Sequence, residues 1–75
     1  MSIYSIFDSV AELYQGIVLF PNDATAQRWF RSTEMAKNPN YGDFTLVRVG
    51  SFDDQSGAIV PDHHIIEKGL TPDEA

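Results

Sequence analysis

The chain has 75 residues, no cysteine and a formal charge of −6, from five basic against eleven acidic residues. That length holds one domain at most and buries roughly 60% of its unfolded surface, with no disulfide or thiolate–metal staple to reinforce a thin core. The acidic balance speaks against strong independent DNA binding, which depends on Lys and Arg neutralising phosphates.

A hydrophobic fraction of 43%, with five Phe, three Tyr and one Trp, suits a folded domain rather than a disordered tail. No apolar run approaches the roughly 20 residues that cross a bilayer, so no membrane partner is expected. The opening "MSIYSIFDS" lacks a basic n-region, and no signal peptide is expected. A single domain over residues 1–75 follows, with a frayed acidic tail from about residue 70. Small cores often gain stability by self-association, so a homo-oligomer is expected, a dimer in the first place.

"SIYSIFDS" alternates and reads as a first strand, with Ile3, Ser5 and Phe7 on one face and Tyr4, Ile6 and Asp8 on the other. "SVAEL" is a connection. "YQGIVLFP" is a second strand whose apolar run Ile17 to Phe20 predicts burial on both faces, ended by Pro21. "NDATAQRWFRSTEMAK" is the one helix, from Asp23 to Lys37, with Asn22 or Asp23 as N-cap. Ala26, Trp29, Phe30 and Thr33 form its apolar stripe, extended by Ala36, while Arg28, Arg31 and Met35 lie on the opposite side. Lys37 is expected to complement the dipole in the last turn. "NPNYGD" stops the helix.

Phe44 to Phe52 is a third strand with Thr45, Val47 and Val49 on one face, and Gly50 marks a bulge or bend. "DDQSG" is a hairpin loop, and "AIVPDHHIIEKG" returns as a last strand, interrupted at Pro61 and so at a sheet edge. The fold class is α+β: an antiparallel β-sheet in ββαββ order, covered on one face by a single α-helix.

Candidate chemistry is sparse. Asp53 and Asp54 begin a calcium-like spacing with Gln55 and Gly57, but the closing Glu is missing, and an Asx turn explains them. His63 and His64 with Glu67 suggest a metal, yet neighbours on a strand point to opposite faces, and structural zinc wants four ligands. No nucleophile elbow, P-loop or dinucleotide motif occurs. Neither an enzyme, a cofactor nor a metal site is therefore expected. Arg28 and Arg31 with Met35 form the one basic cluster: either a solvated helix face or a contact for phosphate or an acidic protein. Arg48 on the third strand completes the candidate contact set of Arg28, Arg31, Met35 and Arg48. Tyr4, Tyr14 and Tyr41, where exposed, could stack on unpaired bases.

The order of these segments resembles the small nonstructural protein of gokushoviruses, single-stranded-DNA phages of the Microviridae. "IYSIFDSVAELYQGIVLFPND", "DATAQRWF" and "NPNYGDFTLVRVGSFDDQSG" carry the likeness, with a weaker closing "GL". It spans Ile3 to about Leu70. Tyr41 and Gly42 are inserted relative to the family's pattern, and the last strand matches poorly. The resemblance implies a non-enzymatic accessory protein of viral DNA replication and packaging, a counterpart of protein C of the phiX-type microviruses. Such a protein would bind single-stranded or replicative-form DNA, the replication complex, or both, and switch synthesis toward single strands fed into the procapsid. The alternative is a protein–protein adaptor that contacts initiator, host replication factors or procapsid without holding DNA. Its place would be the cytoplasm of the bacterial host, outside the structural virion components.

Overall fold

Side-chain capping by three residues sets the strand and helix boundaries. Asp8 accepts from the N–H groups of Val10 and Ala11 at 3.0 and 3.2 Å, which turns the chain between β1 (Ser2–Asp8) and β2 (Leu13–Phe20). Asn22 accepts from the N–H of Thr25 at 2.9 Å and caps α1 (Asp23–Phe30). Asp53 accepts from the N–H of Gln55 at 2.9 Å, and Gly57 sits at φ +77°. These two close the hairpin between β3 (Phe44–Phe52) and β4 (Ile59–Lys68). The Asp53 carboxylate at that tip is thus turn chemistry, as expected. This computed structural model describes residues 1–69, without the side chains of residues 33 and 34. The expected frayed tail lies outside the described residues.

The four strands form one antiparallel sheet in the order β2-β1-β3-β4. The helical segment between β2 and β3 covers one face, so the α+β class and the ββαββ order hold. Tyr4 and Ile6 from β1 with Phe44 and Leu46 from β3 meet Ala26 and Phe30 of α1, and Tyr41 completes the cluster. Tyr4, Ala26, Phe30 and Leu46 are wholly enclosed. The other side of the sheet carries Ile3, Ser5, Phe7, Thr45, Val47 and Val49, grouped as alternation predicts, and no described element covers it.

Several expectations need correction. The β2 run Ile17–Phe20 is not buried on both faces: β2 is an edge strand, its Val18 and Phe20 turn to the helix, and Ile17 is 73% exposed. An apolar run of this length reads as buried only when a neighbouring layer exists on both sides. The helix is not continuous to Lys37. It ends at Phe30, where the N–H of Ser32 reaches back to the carbonyl of Trp29, and resumes as the four-residue α2 (Thr33–Ala36). Ser32 Oγ faces the N–H of Met35 at 3.4 Å and starts that second turn. The break shifts the helical phase, so Met35 packs half-buried against the core instead of lying opposite the stripe, while Ala36 is exposed. Lys37 follows the last turn and does not belong to it.

At the far edge, β4 runs through Pro61, which pairs opposite Gly50, rather than breaking there. The edge position expected for this strand is observed. A register shift between Arg48 and Gly50 marks the expected bulge. A Cβ on Gly50 would lie 2.8 Å from the Val60 carbonyl oxygen, so the close approach of β4 requires glycine.

Candidate functional site: two arginine clamps and an open sheet face

The helix-covered face carries a polar network at its rim. Arg48 of β3 reaches Asp23, in the first turn of α1, with Nη1 to its two carboxylate oxygens at 3.0 and 2.8 Å. Its Nε donates to Asp62 of β4 at 2.9 Å. The Tyr4 hydroxyl donates to the same Asp23 at 2.6 Å. The bond from Tyr4, helped by Arg48, holds the Asp23 carboxyl below its usual range. Burial, then the bond to Asp23, pushes the Tyr4 hydroxyl up. Bonds from Arg48 and from the N–H of His63 lower Asp62 in the same way.

A second clamp closes the other end of α1. Arg31, at its C-terminus, holds Glu67 of β4 through Nε at 2.9 and 2.8 Å and also through Nη2. The planar fork matches the carboxylate, and the pairing raises the pKa of the guanidinium. Both arginines therefore tie the helix to the β4 edge, one at each end.

The four candidate contact residues are not gathered into one patch. Arg28 is exposed on α1 and makes no ion pair among the described residues. Arg31 is exposed but engaged, Arg48 is half-buried and engaged twice, and Met35 lines a half-open cleft. That cleft, about 320 Å³, lies between β1, β2 and the helical segment and is walled by Tyr4, Ile6, Val18, Trp29, Met35 and Phe44 among others. Tyr4 and Tyr41 are core side chains and offer no stacking surface. Tyr14 is half exposed, but its hydroxyl is 2.8 Å from His63 Nε2. His63 and His64 do take opposite faces: His64 pairs beside Arg48 on the helix side, and His63 lies with Tyr14 on the other. Among the described residues no group of three or more His, Cys, Asp or Glu converges on a metal position.

The open face is the larger feature. Tyr14, Ile17, Leu19 and Ile65 are exposed on it, around half-buried Phe7 and Val49 and a buried centre of Ile3, Ser5 and Val47. A shallow trough of about 630 Å³ runs between Ser5, Tyr14, Gly16, Ile17 and Val49. Ser5, the one buried polar side chain there, donates to the Gly16 carbonyl at 2.7 Å and leaves nothing unsatisfied. Reading the chain alone missed the pairing of Tyr4, Asp23, Asp62 and Glu67 with one another and with the arginines, because each acts through a partner distant in sequence. Alternation did group the open face, but the position of β2 was needed to see it exposed.

No curated protein and no solved structure matches the chain. Residues 1–71 match the family described as Phage ORF5 protein, and the chain belongs to that family.

Proposed function

We propose that this phage protein is a non-enzymatic accessory factor of viral DNA replication and packaging that works mainly through contacts with other proteins. The observation that carries this reading is where the positive charge is spent. Of five basic residues in a chain of charge −6, Arg31 and Arg48 are already held by Glu67, Asp23 and Asp62. Arg28 and Lys37 lie on the helix side and Lys68 on the open face, so no groove collects them. Binding to nucleic acid grows with the number of phosphates neutralised together, and dispersed cations supply little of that. Contact with a protein carries no such requirement.

The resemblance to gokushovirus nonstructural proteins supplies the setting: a counterpart of protein C, acting on the replication complex or the procapsid in the bacterial cytoplasm. The test is affinity capture of the tagged protein from infected cells, with and without nuclease. Replication or procapsid proteins retained after nuclease are expected; their loss on nuclease treatment contradicts an adaptor role.

Direct DNA contact is the second reading, and the exposed Arg28 guanidinium is what favours it. Filter binding to viral single strands at low salt measures it. Retention by wild type that falls in Arg28→Ala would support this reading, and no retention would remove it.

A further inference from the structure

The two sides of the sheet differ in charge as well as in cover. Asp8 pairs opposite Phe44, Glu67 opposite Leu46, and Asp62 reaches Arg48. All three strand carboxylates thus belong to the helix side. Among the described residues the open face of the strands presents no carboxylate, although the chain has eleven acidic residues. Its one cation is Lys68, at a corner opposite Thr45.

We propose that this open face is the surface on which two copies of the chain meet, sheet against sheet, about a two-fold axis. Two molecules of charge −6 repel at most approaches, and the carboxylate-free face is where they can touch without that cost. A two-fold contact requires one patch to match itself. An apolar face with its one cation at a corner does so, whereas a heavily charged one meets its own sign. A nucleic acid would find too few cations here.

Size agrees with this occupant. Four strands of 7 to 10 residues, at about 4.8 Å between strands and about 3.3 Å per residue, present a face of roughly 500–600 Å², or about 1,000–1,200 Å² for the pair, the lower end of specific interfaces. The radius of gyration, 12.8 Å, exceeds the roughly 11.4 Å expected for a compact chain of this length. Sheets pack about 10 Å apart, which would give a helix–sheet–sheet–helix sandwich. Ile17 and Leu19 of one copy would fill the trough beside Val49 of the other. The hydrogen bond between Tyr14 and His63 crosses this face already satisfied, so its burial leaves no unpaired polar group.

This inference concerns self-association alone and stands apart from the accessory role. Sedimentation equilibrium of the full chain at micromolar concentration tests it. Wild type should weigh 16.8 kDa, twice the 8.4 kDa of the chain. Ile17→Glu and Ile65→Glu, at exposed positions on opposite edge strands of the same face, should each weigh 8.4 kDa while keeping the wild-type circular dichroism. Lys37→Glu, on the helix side, should remain at 16.8 kDa. A wild-type mass of 8.4 kDa overturns the proposal and leaves the face to a different protein. Folded Ile17→Glu and Ile65→Glu variants that stay dimeric also overturn it, and move the contact elsewhere, such as the free edge of β2.

Discussion

The helix-covered side of the sheet and the open side are built from the same alternating strands, yet they solve different problems. On the covered side Tyr4, Phe30 and Leu46 are fully enclosed, and the two arginine clamps fix the helix to β4. On the open side Ile3 and Val47 are buried among their neighbours, but Ile17, Leu19 and Ile65 remain in water. The Tyr14–His63 hydrogen bond crosses this face where the other side has its arginine clamps. Hydrophobic residues on a strand thus do not by themselves announce a core. What distinguishes the two sides is the presence of a second layer and the placement of charge. The covered side holds the fold, and the open side is free to hold something else.

The sharpest way to separate the sides is to truncate one apolar residue on each. Phe30→Ala should cost about 3–5 kcal/mol, as for any enclosed aromatic, which is most of the stability of a domain this small. Ile65→Ala, measured at high dilution, should stay within about 0.5 kcal/mol. Urea midpoints give both values, and equal losses would erase the distinction. Next in size is Gly50→Ala, which forces β4 away from the bulge and should cost about 1–3 kcal/mol through overpacking. Thermal unfolding of this variant reads out the approach of Val60.

Tyr4→Phe is milder. It keeps the ring packed against Phe20, at a 6.0 Å centroid distance, but removes the bond to Asp23, a loss of about 1 kcal/mol. A neutral outcome in a denaturant titration would show that Arg48 alone satisfies that carboxylate. The smallest effect concerns pH. Asp23, Asp53 and Asp62 are lowered in the folded state, so the folded chain binds fewer protons than the unfolded one. Their contribution is complete above the unfolded carboxylate pKa of about 4 and is lost as pH falls through the lower folded values. Asp23→Asn should flatten that acid limb; an unchanged slope would mean that the clamp does not act through charge.

The division between the two sides was only half legible in the sequence. Local chemistry announced the Asn22 cap, the Asp53–Gly57 turn, the Gly50 bulge and the strand faces, because each is decided within a few residues. Position within the sheet was announced for β4, through Pro61, but not for β2. The stretch Ile17–Phe20 has the composition of a central strand, and only the order β2-β1-β3-β4 makes it an edge. Ser32, a cap residue inside an apparently continuous helix, was the available signal for the break that carries Met35 inward. Arg31 and Arg48 looked like free cations because their carboxylates come from residues 36 and 14–25 positions away. Pairing over such distances is fixed by topology, which alternation and composition do not encode.

Pairing through the open face would change the surroundings of its apolar side chains and leave those under the helix as they are. Isoleucine methyl resonances followed on dilution report this residue by residue. Ile17 and Ile65 should shift together with concentration, while Ile6 and Ile66, packed on the helix side, stay fixed. Shifts confined to Ile6 and Ile66, or none at any position, would contradict it.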